Sequence, residues 1–252
     1  MRILFAGDSI IKGALGVNWV KQLAEDHPEW TITNAGKNGD TLVKITERLE
    51  QVLIEDADYD VIVLLAGYND ILIPSLHKRG FFFRLAGEHL VKKGYAPLPD
   101  PGSFEKKLLE TIDMIRARSK ATIILMTLGC MNEVTIFSSN TARKEFNAVT
   151  RDIASRKNCL LADTGALVDG YLQQFSTTDY FLEGFFRVNL FDKIQSMLGN
   201  PDHLSEQRKL HLTIDGLHLN HRGASIFRKE VESVLLNYTN KTTGHFLSKN
   251  SR

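Results

Sequence analysis

The chain has 252 residues, 43% of them hydrophobic and 9% aromatic, which is enough apolar surface for a full core in a length that still fits one domain. A formal net charge of +1, with basic and acidic residues interspersed, leaves no basic stripe for nucleic acid, and the cluster His77-Lys78-Arg79 reads as a solvated loop. Two cysteines, Cys130 and Cys159, make neither a disulfide framework nor a zinc knuckle, no apolar run approaches the roughly 20 residues of a membrane span, and no charged, apolar leader is visible, so a reducing, cytoplasmic setting is expected.

Short apolar runs alternate with helical patterns along the chain, which predicts a parallel sheet covered on both faces by crossover helices. The first strand, residues 2–7, runs directly into Gly7-Asp8-Ser9, and helical spacing follows from Trp19 to Ala24. A second strand at 30–34 leads into Asn34-Ala35-Gly36-Lys37-Asn38-Gly39-Asp40-Thr41, where Asp40 and Thr41 are expected to cap a helix over Leu42 to Ile54. The third strand, 60–66, is unbroken in its apolar character, as a strand buried on both faces should be, and ends at Gly67-Tyr68-Asn69-Asp70. Helical spacing from Phe104 to Ile115, a strand at 121–127, helical spacing from Phe146 to Ile153 and a strand at 159–162 complete the repeat. The last helix begins near Gly223, with Ile226, Phe227, Val231, Val234 and Leu235 on one face. Residues 1–239 are thus expected to form one domain with long inserts at about 71–102 and 163–212, and 240–252 a polar, flexible tail.

The chemistry concentrates in three stretches far apart in the chain, Gly7-Asp8-Ser9, Gly67-Tyr68-Asn69-Asp70 and Asp215-Gly216-Leu217-His218. A serine hydroxyl is a poor nucleophile until a histidine takes its proton, and the histidine needs an acid to hold its tautomer and stabilise the imidazolium. Ser9, His218 and Asp215, the last two in Asp215-Gly216-Leu217-His218, supply those three roles. The oxyanion formed by the attack needs fixed donors, for which glycine-turn N–H groups and an Asn amide are suited. Ser9, Gly39 and Asn69 all fall at the carboxyl ends of expected strands, where open α/β sheets bind ligands.

Taken together and in order, the four blocks resemble those of the SGNH hydrolases, also called GDSL esterases and lipases. The resemblance implies a three-layer α/β/α sandwich with a five-stranded parallel sheet of the flavodoxin-like type, and an ester hydrolase that needs no cofactor or metal. It makes Ser9 the nucleophile and its own N–H an oxyanion donor, the Gly39 N–H a second donor and the Asn69 side chain a third, with His218 as base and Asp215 as orienting acid. No Gly-x-Ser-x-Gly elbow surrounds Ser9, so the α/β-hydrolase fold is not the model.

Rival readings attach to the same segments. His211, Asp215 and His218, with His221 nearby, form an alternative metal cluster, and a binding module that has lost its chemistry is a third class. Asp8 and Asp70 are expected to accept backbone N–H bonds in their own tight turns, and Cys130 to be a small buried hydrophobe. Candidate substrate contacts are Asp8, Tyr68, Phe81, Phe82 and Phe185. An apolar wall of Phe81, Phe82, Phe83, Phe181, Phe185 and Phe186 favours short to medium acyl esters or lysolipid-like small-molecule substrates, with carbohydrate O-acetyl esters as the alternative; the oligomeric state is left open.

Overall fold

In the computed structural model, which describes residues 1–76, 81–98, 100–182 and 200–249, five strands form one parallel sheet. They are β1 (Arg2–Gly7), β2 (Thr31–Gly36), β3 (Val61–Leu65), β4 (Thr122–Met126) and β5 (Leu160–Ala162), in the spatial order β2-β1-β3-β4-β5. The register pairs Phe5 with Asn34 on one side and with Val63 on the other. All five residues of β3 are buried, which is why its sequence shows no alternation, whereas edge strand β2 is only half-buried.

The helices are α1 (Ser9–Lys12), α2 (Trp19–Asp26), α3 (Leu42–Glu55), α4 (Tyr68–Leu76), α5 (Phe81–Lys92), α6 (Pro101–Arg118), α7 (Ser138–Arg156), α8 (Thr164–Leu172), α9 (Pro201–Arg208) and α10 (His221–Lys249). Helices α3, α6 and α7 pack side by side, as do α2, α8 and α10, giving the expected three-layer α/β/α sandwich. The two layers are sealed by large buried side chains: Phe104 against Phe146 in one, Trp19 against Phe5 and Phe227 in the other. Trp19 also donates its indole N–H to the Ile10 carbonyl at 3.0 Å, pinning α1, the short helix that begins at Ser9. Among the described residues no helix is long and apolar enough to cross a membrane.

Three expectations change. Thr41 occupies the N-cap of α3 but makes no capping bond; the Asp70 carboxylate reaches across from the end of β3 and accepts the Leu42 N–H at 3.0 Å. Asp40 is turned instead toward Arg48, to whose guanidinium it is paired. The last helix starts at His221 and continues to Lys249 through most of the segment expected as a flexible tail, with no proline to stop it, while residues 250–252 lie outside those described. Both inserts carry helices: the first contains most of α4 and all of α5, the second α8 and α9.

Because β2 lies to one side of β1 and β3 to the other, the chain reverses direction across the sheet between β1 and β3. A crevice opens at the carboxyl ends of strands at such a switch point. Ser9 follows β1 and Asn69 follows β3, so this topology sets the two on opposite lips of that crevice.

Candidate active site

Ser9 is the first residue of α1, and Asp8 is the helix N-cap, its side chain accepting the Ile10 N–H at 2.9 Å. The Ser9 Oγ lies 3.2 Å from His218 Nε2. On the far side of the ring, His218 Nδ1 meets Asp215 Oδ2 at 2.7 Å, and a carboxylate can only accept there, so Nδ1 carries the proton and Nε2 presents its lone pair to the serine. The other Asp215 oxygen accepts the backbone N–H groups of Leu217 at 3.0 Å and His218 at 2.7 Å. Burial pushes the Asp215 carboxyl upward, but the His218 charge and hydrogen bond, together with these two N–H groups, outweigh it and hold the group below the ordinary carboxylate range. Gly216 makes the turn between acid and base at φ +87°, and a Cβ there would sit 2.3 Å from the Tyr180 carbonyl.

This segment reaches Ser9 across the whole sequence because other groups hold it. The Val17 N–H donates to the Leu219 carbonyl at 2.8 Å, linking the loop after α1 to the residue after His218. On the opposite side stands Glu133, wholly buried after β4. Its carboxylate accepts the N–H groups of His211, Leu212 and Thr213 and the Thr213 hydroxyl, at 2.6 to 2.8 Å. The neighbouring Asn132 N–H donates to the Gly216 carbonyl at 2.8 Å. Sequence reading missed Glu133, since a lone acidic residue in a loop looks solvated; only its apolar surroundings, from Ile123 to Met131, could have hinted at burial.

The expected oxyanion donors lie on adjacent turns. Gly39 adopts φ +82°, and the space over its Cα is open, the nearest atom to a Cβ there being Leu90 Cδ2 at 3.9 Å. Asn69, in the first turn of α4 and nearly buried, donates its amide to the Asp40 carbonyl at 3.0 Å, which fixes the side chain against the Gly39 loop. Asp70 does not close its own turn as expected; besides the Leu42 N–H it accepts that of Leu98 at 3.0 Å, tying the first insert to the site.

Of the candidate substrate contacts, Tyr68 is buried with its hydroxyl accepting the Gly129 N–H at 2.6 Å, and Asp8 is wholly buried with one oxygen engaged by the Ile10 N–H. The side chains of Phe81, Phe82 and Phe83 are outside those described, as are residues Phe185 and Phe186; Phe181 is buried, at the edge of a cavity of about 560 Å³. In the rival metal cluster, His211 Nε2 is 2.9 Å from the Ser176 carbonyl with its ring stacked on Phe175, and His221 pairs with Asp202, so these rings do not converge with His218. Among the described residues no three His, Cys, Asp or Glu side chains gather to hold a metal. Cys130 is buried, and desolvation raises its thiol pKa far above the usual range.

Burial also pushes Asp8 up to about 7 and Asp70 up to about 6, with backbone N–H bonds only partly offsetting the loss of water. Both carboxyls therefore hold protons in the folded protein that the unfolded chain, titrating near pH 4, has already released. Their contribution is fully present below about pH 4 and is lost as pH rises through about 6 to 7, whereas the Asp215 contribution is lost only when pH falls below about 4. Urea unfolding should give greater stability at about pH 5 than at about pH 8, and Asp8→Asn should flatten most of that slope. An unchanged slope in the variant would show that Asp8 is not the group responsible.

A family model described as the GDSL-like lipase/acylhydrolase family matches residues 5–226. Similar solved structures include the acetyl xylan esterase AlAXEase (TM-score 0.61, 19% identity, 92% of this chain and 98% of that one). A catalytic mutant of Axe2, an acetylxylan esterase from Geobacillus stearothermophilus, has TM-score 0.61 and 18% identity over 91% of each chain. A member of the lipolytic G-D-S-L family from Veillonella parvula DSM 2008 has TM-score 0.60 and 16% identity, covering 93% of this chain and 97% of that one. At these identities the structures establish a shared fold. No curated protein sequence matches.

Proposed function

The chain belongs to the GDSL-like lipase/acylhydrolase family and is an ester-hydrolysing enzyme, and we propose that it works as a serine hydrolase through an acyl-enzyme on Ser9. The observation that carries this reading is the continuous line from Ser9 Oγ through His218 to buried Asp215, with contacts of 3.2 and 2.7 Å. As Ser9 attacks the ester carbonyl carbon, His218 Nε2 takes the hydroxyl proton, and Asp215 stabilises the resulting imidazolium. The carbonyl oxygen, now an oxyanion, is met by the N–H groups of Ser9 and Gly39 and the Asn69 amide. Collapse expels the alcohol, which takes the proton from His218. Water then attacks the acyl-enzyme, with His218 as base, and releases the acid and free Ser9.

For the substrate we favour short to medium acyl esters of small molecules. A cavity between α4 and the start of α7, whose lining residue Asn132 bonds the Gly216 carbonyl in the turn before His218, supports this, because Ile71, Pro74, Phe137 and Phe181 line part of it. A second reading, carbohydrate O-acetyl esters, is favoured by the rest of the same lining, Ser75, Asn132, Ser138, Ser139 and Asp179, and by the acetyl xylan esterases among the similar structures. Each buried methylene is worth about 0.8 kcal/mol, so kcat/KM on p-nitrophenyl esters should rise roughly fourfold per carbon beyond acetate. A profile that peaks at acetate and falls by butyrate, with turnover of acetylated xylo-oligosaccharides, would decide for the second reading. EDTA should leave both activities unchanged; loss of activity restored by zinc would overturn the serine mechanism.

A further inference from the structure

Arg48 belongs to none of the four blocks. It sits in the middle of α3, and its sequence neighbours, Glu47 and Leu49, make it look like one more charged residue on a solvated helix face. In the fold its guanidinium is partly withdrawn from water, and its groups diverge to three segments. Nε donates to the Ala35 carbonyl at 2.7 Å, one terminal nitrogen donates to the Gly7 carbonyl at 2.8 Å, and the other is paired with the Asp40 carboxylate. Gly7 ends β1 two residues before Ser9, Ala35 lies at the end of β2 ahead of the Gly39 loop, and Asp40 closes that loop. The backbone carbonyl of Asp40 is the acceptor that holds the Asn69 amide at 3.0 Å. One side chain therefore touches the nucleophile turn, the strand feeding the glycine turn, and the residue that anchors the Asn amide.

Only a guanidinium can do this. Its five N–H groups are fixed in a plane and point outward in a fork, whereas a lysine ammonium is a compact point charge that cannot span three divergent acceptors. Burial lowers the Arg48 pKa, as it must for a cation drawn into the protein, and the carboxylate of Asp40 and the two carbonyls supply the polar partners that make its withdrawal tolerable. A donor displaced by a fraction of an ångström still binds the ground-state carbonyl, yet loses much of its hold on the transition-state oxyanion, because only the latter demands the full geometry.

We propose that Arg48 is a positioning residue for acyl transfer, setting the spacing of the Ser9 turn, the Gly39 loop and the Asn69 amide so that their donors converge on one oxygen. The proposal rests on the serine mechanism above, and the test separates the two. Wild-type protein, Arg48→Lys and Arg48→Ala are assayed for p-nitrophenyl ester turnover and for phosphonate labelling of Ser9. Absence of labelling in the wild type would sink the serine mechanism whatever Arg48 does. With labelling present, Arg48→Lys should lower kcat by about 30- to 100-fold while KM changes less than about threefold and thermal stability drops only modestly. A cavity of about 460 Å³ bounded by Lys37, Lys44, Lys93 and Tyr95 opens onto Arg48, giving a small cation access to the gap left in Arg48→Ala. Methylguanidinium, but not methylammonium at equal ionic strength, should restore part of the lost rate there. Wild-type kcat in Arg48→Lys with only a lowered melting temperature, a raised KM with kcat unchanged, or equal rescue by both cations would each overturn the proposal. Should Arg48→Ala fail to fold, the kcat and KM of Arg48→Lys decide it alone.

Discussion

Ser9→Ala should lower kcat by a factor on the order of 10⁶ while leaving the melting temperature close to wild type. The hydroxyl is half-exposed at the start of α1, and the helix is held by the Asp8 cap and by Trp19 and not by the Ser9 side chain, so its removal takes away the reaction and not the fold. The loss is large because the acyl-enzyme has no other oxygen to form on. His218→Ala should be nearly as severe, since the two residues act as one unit and their losses do not add. Asp215→Ala should be milder in kcat, about 10⁴-fold, and costlier in stability, because the carboxylate also accepts the Leu217 and His218 N–H groups that form the turn. Steady-state turnover, together with mass spectrometry of a phosphonate adduct, checks all three. An adduct on another residue, or substantial turnover by Ser9→Ala, would move the nucleophile elsewhere.

What could be read in advance was whatever depends on apolar burial or on turn chemistry. The three central strands were legible because Leu4, Val63 and Ile124 belong to runs buried on both faces, and the switch-point geometry then followed from a general rule of open sheets. The helix over Leu42 to Glu55 was legible because Leu42, Ile45, Leu49 and Leu53 repeat at helical spacing. The first two turns of α7 were not. Asn140 and Arg143 face inward there, bonded to the loop after β4 through Met131, Asn132 and Leu128 and to α8 through Asp169, and a buried polar face leaves no apolar period to detect. Helix α4 was hidden in a similar way, since Pro74 reads as a helix breaker and its first turn carries the Asn69 block. The site was legible in its short-range parts: Asp215 and His218 share one turn, and Ser9 follows a strand. The groups that bring these parts into register, Glu133 and Arg48, were invisible because each takes its meaning from backbone atoms far away in sequence. A carboxylate or guanidinium that satisfies distant N–H or C=O groups has the same local signature as one in water. Tyr68 shows the opposite case: beside the Asn69 block it looks like a ligand contact, while its buried hydroxyl accepts the Gly129 N–H.

Asn69→Ala tests the other half of the chemistry, and its expected effect is a fall in kcat of about 100-fold or more with KM nearly constant. Asn69 is nearly buried, and one amide hydrogen is committed to the Asp40 carbonyl at 3.0 Å, so the side chain does not need to reorganise when the substrate arrives. The remaining hydrogen is oriented before the reaction begins. Such a donor gains little from a neutral carbonyl oxygen and much from a full negative charge in a site with little water, which is why its loss should appear in kcat and not in binding. Removing it forfeits about 3 kcal/mol of transition-state stabilisation, and the Ser9 and Gly39 N–H groups are left to carry the rest. Because the substitution also frees the Asp40 carbonyl, some of the loss could come from a loosened Gly39 loop; in that case Arg48→Lys and Asn69→Ala would combine to less than the product of their separate losses. Full additivity would make Asn69 an independent donor, while a raised KM with unchanged kcat would make it a contact to the ground-state ester and remove it from the oxyanion site.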